Sequence, residues 1–160
     1  MSTKLTKMGK RQGRPEPLTV LLEAASQCVL RTLTDRLRAR GYEAITEPHL
    51  ILFGHLDCGA THAARIAQRM RVSRQAISKT LRELQELGFL RLEDDPARRN
   101  QKLVVMVERG MQLALEARGE LRMIEAEISD GIGADAMEAL RVALEKGWGT
   151  GSSPTGKMAR

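Results

Sequence analysis

Aromatic residues and cysteines are scarce in this chain. Phe, Tyr and Trp make up 2% of its 160 residues, and its two cysteines, Cys28 and Cys58, lie far apart in sequence. Two such cysteines form no disulfide framework, so the sequence predicts a cytoplasmic protein with reduced thiols. No apolar run approaches the length of about 18 residues that a membrane span needs, and we expect no signal peptide. Abundant Ala and Leu favour helices over a large sheet.

Acidic residues are missing from the middle of the chain. Between Cys58 and Arg82 there is no Asp or Glu, although the whole chain has 20. The same stretch contains six basic residues: Arg65, Arg69, Arg71, Arg74, Lys79 and Arg82. A second group of basic residues lies within residues 1–17. The net charge of +6 is compatible with many partners, but this distribution indicates one surface for a polyanion.

Composition divides the chain into an arm, a domain and a tail. Residues 1–16 are polar and broken by Gly and Pro, which predicts a flexible basic arm. The arm contains Gly-Arg-Pro, the core of an AT-hook, but Gln12 replaces the usual preceding Arg, so added phosphate contacts are its expected role. Residues 17–148 are predicted to form a single domain, and the Gly- and Ser-rich residues 149–160 a disordered tail.

Apolar residues recur at helical spacing along the first half of the domain. They predict a first helix over residues 18–41 and a second over residues 46–59. Thr46 has a side-chain oxygen that suits the N-cap of the second helix. Thr61 is predicted to cap a third helix, which ends near residue 70.

Ser73 is predicted to cap a fourth helix that ends at Gly88. The apolar residues of this helix fall on one face, and its polar and basic residues fall on the other: Arg74, Gln75, Ser78, Lys79 and Arg82. After Gly88 the periodicity changes. Residues 89–95 and 101–107 are strand candidates joined by a polar hairpin tip.

Two further helices are predicted after the hairpin. The first runs from Glu108 to about Ser129 and is broken by glycines at 131 and 133. Asp135, followed three residues later by Glu138, resembles a capping box at the start of the last helix. The predicted fold class is therefore mainly α, with about six helices and a two-stranded β wing.

The order of helix, short turn, helix and hairpin is typical of a winged helix-turn-helix, whose second helix enters the DNA major groove. Gln75 can form two hydrogen bonds with adenine. Basic and hydroxyl side chains on the same face can reach guanine or phosphate: Ser73, Arg74, Ser78, Lys79 and Arg82. An acid here would meet phosphate at close range, which explains the missing acids. Arg98 and Arg99 at the wing tip suit the electronegative minor groove.

The segment ARIAQRMRVSRQAISKTLRELQELGFLRLEDDPARRNQKLVV resembles the MarR family of winged-helix transcriptional regulators. The resemblance rests on Val-Ser-Arg at the helix start, on Leu-x-x-Leu-x-x-x-Gly and on the Asp-Pro of the wing. It implies that residues 45–107 bind DNA and that residues 17–44 and 108–148 form the interface of a homodimer. The residues expected at that interface include Leu18, Leu22, Met137, Leu140 and Leu144. A pseudo-palindromic operator, repression, and release by a small apolar or aromatic ligand are further implications.

The sequence departs from the family pattern at three places. Arg71 replaces the usual Gly of the turn, where a left-handed backbone costs a non-glycine residue about 1 kcal/mol. At the wing tip, Arg98-Arg99-Asn100 replaces Asp-x-Arg, so Arg99 is the expected substitute for the family's Arg. Val107 replaces the Thr that normally caps the fifth helix. Arg71 and Thr61 complete the predicted set of DNA-contacting residues.

Other interpretations of the sequence have less support. His49, His55, Cys58 and His62 are close in sequence, but their spacing does not match a closed zinc site, and we predict no metal and no cofactor. Cys28 is predicted to be a small core residue, with a redox switch as the alternative. No motif indicates an enzyme. The alternative functions are a non-specific architectural DNA binder and a winged helix used for protein contact.

Overall fold

Six helices and three short strands make up the described part of the chain, which comprises residues 15–56, 61–97 and 101–147 of a computed structural model. In chain order the elements are α1 Leu18–Ala39, α2 Glu47–Gly54, β1 Thr61–His62, α3 Ala63–Met70, α4 Arg74–Glu86, β2 Leu90–Asp94, β3 Lys102–Met106, α5 Glu108–Ile132 and α6 Ala134–Gly147. The predicted mainly helical class with a β wing is confirmed. Most of the predicted arm, the predicted tail, and the tip residues Arg98 and Arg99 lie outside the described residues.

The second helix ends, and the third helix begins, at residues other than those predicted. Thr46 precedes α2 as predicted, but α2 ends at Gly54 rather than near Cys58, because glycine has low helix propensity and the chain turns at His55. The predicted cap of α3 at Thr61 is wrong. Thr61 instead pairs with Val104 as part of β1, and His62 occupies the N-cap position.

The wing is an antiparallel hairpin with a third strand added to it. Strands β2 and β3 pair from Leu90 opposite Met106 to Asp94 opposite Lys102. β1 pairs with the other side of β3, so the strand order is β1-β3-β2. Because β1 leads directly into α3, this pairing attaches the base of the wing to the helix-turn-helix.

The core fills the space between the helix-turn-helix, the wing and the neighbouring helices. Its largest fully buried side chains come from most of the elements: Leu37, Ile45, Leu52, Ile66, Leu81, Leu84, Phe89, Leu90, Val104 and Leu113. The rings of Tyr42 and Phe53 both pack near that of Phe89, with centroids 6.1 and 6.3 Å away. Three of the chain's four aromatic side chains thus meet in one cluster.

Helices α1 and α5 are joined by ion pairs as well as by packing. Arg36 of α1 donates from Nη2 to both carboxylate oxygens of Glu127, at 2.8 and 2.6 Å, and lies 3.5 Å from Glu120. Arg40 also pairs with Glu120, whose side chain is only 8% exposed. A buried carboxylate needs such partners, since desolvation would otherwise favour its neutral form.

The carboxy-terminal helices extend further than predicted. α5 continues through Gly131 and ends at Ile132, before Gly133 with its φ of 94°. α6 begins at Ala134, so Asp135 lies inside the first turn and the predicted capping box is wrong. Val107 occupies the N-cap of α5 without a side-chain hydrogen bond, as predicted. Of the helices in the described ranges, none combines the length and apolar character of a transmembrane span.

Candidate nucleic-acid interface

Helix α4 is held by its cap and by its apolar face. Ser73 Oγ accepts a hydrogen bond from the Ala76 backbone N–H at 3.1 Å, which satisfies one of the free donors of the first turn. Ile77, Leu81 and Leu84 are buried on the side that faces the core. With one face buried and the first turn capped, the opposite face of α4 is fixed toward solvent.

The exposed face of α4 and its cap bring together six of the residues predicted to contact DNA. All of them are exposed in the structure: Ser73, Arg74, Gln75, Ser78, Lys79 and Arg82. The Ser78 hydroxyl donates to the Arg74 carbonyl at 2.7 Å, and Arg82 Nε donates to the Ser78 carbonyl at 3.1 Å. In this arrangement the Ser78 proton is used within the helix and is not available to a phosphate oxygen. A donated bond to DNA would require another rotamer.

The turn between α3 and α4 passes through a left-handed residue. Arg71 has φ 53° and ψ 39°, and among the described residues it is the single non-glycine residue with positive φ. Its backbone N–H donates to the Gln68 carbonyl, and the Val72 backbone N–H donates to the Ala67 carbonyl, each at a distance of 3.2 Å. These bonds end α3 in the manner of a left-handed helix terminus. The conformation predicted for Arg71 is thereby confirmed.

The first acid after the basic stretch, Glu83, faces a histidine of α2. The Nε2 atom of the buried His49 lies 3.1 Å from Glu83 Oε2. His49 Nδ1 accepts the Thr46 backbone N–H at 3.3 Å, so the ring proton of the neutral form is on Nε2 and is donated to Glu83. Lys79 Nζ lies 3.8 Å from the other carboxylate oxygen. Glu83 therefore links α2 to the exposed face of α4.

A second histidine holds the base of the wing. His62 Nε2 lies 2.8 Å from Oδ2 of Asp95, which is buried where β2 ends. Asp95 Oδ1 accepts the Ala97 backbone N–H at 2.8 Å and thus shapes the turn that leads to the wing tip. No local pattern predicts this pair, since the two residues are 33 positions apart.

Several predicted site residues lie elsewhere than expected or outside the residues that the structure describes. Within the described ranges no three His, Cys, Asp or Glu side chains are grouped so that they could hold a metal. Cys58, Arg98 and Arg99 lie outside these ranges. Thr61 belongs to β1 rather than to a helix cap. The core position predicted for Cys28 is wrong, because its side chain is exposed on the amino-terminal half of α1.

The residues predicted for dimerisation remain accessible in the single chain. Leu18 of α1 and Leu140 of α6 are 53% and 45% exposed, while Leu22, Met137 and Leu144 are half-buried. Further large apolar side chains are exposed on the same helices and on α5, among them Leu21, Met123 and Ile132. Together these side chains leave an apolar surface on α1, α5 and α6 that the described part of the chain does not cover.

Comparison with known proteins shows that the chain is similar in fold to solved MarR-family transcriptional regulators. The model of the MarR family matches residues 45–99, which include α2, α3, α4 and β2. The reduced form of MarR from E. coli is 20% identical, with a TM-score of 0.71 over 84% of this chain and 98% of that chain. A MarR-family transcriptional regulator from Rhodococcus sp. RHA1 is also 20% identical, with a TM-score of 0.66 over 82% and 94%.

A third similar structure is CouR from Rhodococcus jostii RHA1 bound to p-coumaroyl-CoA. It is 17% identical, with a TM-score of 0.67 over 89% of this chain and 99% of that chain. At these identities the solved structures establish the fold alone, and the family model matches the winged-helix segment rather than the whole chain. No curated protein matches the chain.

Proposed function

We propose that this chain, whose winged-helix segment matches the MarR family model, is a homodimeric, sequence-specific double-stranded DNA-binding regulator. The observation that carries the proposal is the exposed face of α4. It presents Gln75 among basic and hydroxyl side chains, and no acid occurs in its first two turns. Such a face offers both base-reading and phosphate-binding groups to a major groove.

The position of α4 supports the same role. Its buried face and Ser73 cap fix it as the outer helix of a helix-turn-helix, and α3 carries a further exposed basic side chain, Arg65. The residues proposed to contact DNA are those of α4 together with Thr61, Arg71, Arg98 and Arg99. The side chains of α4 would read bases and phosphates, and those of the wing would enter the adjacent minor groove.

The apolar surface of α1, α5 and α6 supports dimerisation. Large exposed apolar patches on a single chain mark interaction surfaces, and a second copy of this chain is the partner that the family implies. Leu18, Leu22, Met137, Leu140 and Leu144 would lie in that interface. A two-fold dimer would place its two α4 helices about 34 Å apart, one DNA turn, and would therefore require an operator with inverted symmetry.

Ligand-responsive repression in the cytoplasm is the finer part of the proposal. CouR was solved bound to p-coumaroyl-CoA, so this fold accommodates a ligand with an aromatic acyl group in at least one protein. We propose a small apolar or aromatic effector that releases the operator here as well. No catalytic step, metal or cofactor is part of this role.

The test is selection of genomic DNA fragments by the purified full-length protein at near-physiological salt, followed by sequencing. We expect a few sites that share an inverted repeat with half-sites about one turn apart. As a control, the same selection uses a triple variant, Arg74→Ala, Gln75→Ala and Lys79→Ala, which should recover no common motif. Broad recovery by the unmodified protein would instead assign it to non-specific, architectural binding. Recovery of no DNA would assign the winged helix to protein contact.

A further inference from the structure

Arg109, at the start of α5, is hydrogen-bonded to the carboxy-terminal end of α4. Its Nη1 donates to the carbonyl of Leu87, the C-cap residue of α4, at a distance of 3.0 Å. The carbonyls of a last helical turn have no partner within the helix, and a guanidinium also complements the negative end of the helix dipole. A side chain of α5 thus satisfies the terminus of the helix proposed to enter the major groove.

The same guanidinium lies over an aromatic ring. The Arg109 Cζ atom is 4.6 Å from the centroid of Phe89, the second residue beyond Leu87. The ring itself is fully buried between Tyr42 and Phe53. A cation held over a buried ring adds an attraction of fixed direction, so Arg109 is oriented by two contacts rather than one.

The backbone of α5 at Gly110 packs directly against the backbone of Phe89. A Cβ atom on Gly110 would lie 2.1 Å from the Phe89 carbonyl oxygen and 2.8 Å from Met106 Cγ. That oxygen also accepts the Val107 backbone N–H at 3.2 Å. The absence of a side chain at Gly110 is therefore what permits the contact. We call Phe89, Arg109 and Gly110, with the Leu87 carbonyl, the α4–α5 joint.

The joint connects the two parts of the proposed regulator. α5 packs along α1 and carries part of the apolar surface proposed for dimerisation, whereas α4 is proposed to read DNA. In a two-fold dimer, the angle of α4 to α5 determines the separation of the two α4 helices. A small rotation at the joint changes that separation twice, once in each subunit.

We propose that Arg109 is a positioning residue that sets the half-site spacing which the dimer accepts, acting through Leu87 and Phe89 rather than by touching DNA. This inference rests on the proposed function, because it presupposes a dimer on an inverted repeat. It assigns spacing to the joint and base preference to the exposed face of α4. The two properties are therefore separable by mutation.

The experiment uses duplexes that carry the half-site found by genomic selection as an inverted repeat, with the separation varied one base pair at a time around about 10 base pairs. Binding by the full-length protein is compared with that of Arg109→Gln, which removes the cation. The matched control is Arg118→Gln, an equal charge change at an exposed position of the same helix. Arg109→Lys tests partial rescue, because an ammonium keeps the charge but loses the fork geometry of Arg.

For the unmodified protein and the control we expect one preferred spacing. For Arg109→Gln we expect that the preference over neighbouring spacings drops by about three- to tenfold, with the base preference within each half-site unchanged and an intermediate result for Arg109→Lys. If Arg109→Gln does not fold, Arg109→Lys alone decides. An unchanged spacing profile in the folded variants would overturn the inference and leave the proposed function standing. Failure of the unmodified protein to prefer any inverted repeat would overturn the proposed function itself.

Discussion

The hydroxyl of Tyr42 donates a hydrogen bond to Glu116 Oε1 across 2.8 Å, and this bond joins the segment after α1 to the middle of α5. Tyr42 is 8% exposed and packs against Phe89. Burial raises the pKa of Tyr42, and its bond to the Glu116 carboxylate and the charge of that carboxylate raise it further. A buried tyrosinate beside a carboxylate is unfavourable, so the neutral phenol is the form that this site stabilises.

Because the pKa of Tyr42 is raised, we expect the folded protein to lose stability as the pH becomes alkaline. The folded protein keeps the Tyr42 proton at a pH where the unfolded chain, with a pKa of about 10, has lost it. The contribution of the protonated Tyr42 to the stability of the fold is therefore fully present below about pH 10. It is lost as the pH rises through the higher pKa of the folded state. Because Tyr42 is the chain's one tyrosine, tyrosinate absorbance reports it directly. The folded protein should titrate at higher pH than the protein in denaturant; coinciding curves would refute the shift. Tyr42→Phe should lose stability less steeply over the same range.

Replacement of glycine by alanine should have opposite effects on stability at two positions of α5. Gly110→Ala should lower the free energy of unfolding by about 2–4 kcal/mol, because the new methyl group would overlap the Phe89 backbone. Gly119→Ala adds the same atom where nothing lies within 4 Å, so the protein should gain about 0.5–1 kcal/mol from helix propensity. Urea denaturation of both variants checks the pair. Equal effects in the same direction would contradict the close approach at Gly110.

The left-handed backbone of Arg71 makes a glycine favourable at this position. Arg71→Gly should stabilise the protein by about 0.5–1 kcal/mol, since relief of the left-handed conformation exceeds the extra entropy that glycine adds to the unfolded chain. Arg71→Ala removes the same charge but keeps a Cβ, and should bring no such gain. Thermal unfolding distinguishes the two. DNA binding should weaken in both variants alike if the Arg71 side chain contacts phosphate.

Gln75 and Gln85 provide a matched pair on α4. Both are exposed, but Gln75 lies in the first turn, where a helix in the major groove meets the bases, and Gln85 lies in the last. Gln75→Ala should reduce discrimination at one operator base pair by about 1–3 kcal/mol, whereas Gln85→Ala should leave the preferred sequence unchanged. Competition binding with single-base operator variants measures this. A uniform loss on all sequences would show that Gln75 contacts phosphate instead.

Local patterns predicted much of the fold and most of the candidate interface. Ser73 at the start of α4 follows from its neighbouring residues, whereas the left-handed turn at Arg71 is expected from the resemblance to the family, which has Gly there. The faces of α4 follow from its apolar spacing, which three buried side chains confirm. Such features depend on interactions between residues a few positions apart, and the sequence displays them directly.

Features that depend on distant partners could not be predicted in this way. β1 has only two residues and exists because β3 offers it a free edge, so no periodicity marks it. The pairs of His62 with Asp95 and of His49 with Glu83 bring together residues more than 30 positions apart. Cys28 follows the apolar spacing of α1, but that spacing does not say whether the chain's own core or another surface covers the stripe.

The short strand β1 also affects how copies of this chain can associate. Since β1 occupies one side of β3, the long outer edge of the wing is that of β2. β2 carries Arg91 and Glu93 exposed and ends at the exposed Asp94. Charged side chains on an edge strand hinder the addition of a strand from another molecule, and hence fibrous aggregation. A concentrated solution of this protein should therefore assemble through its apolar helices rather than by extending its sheet.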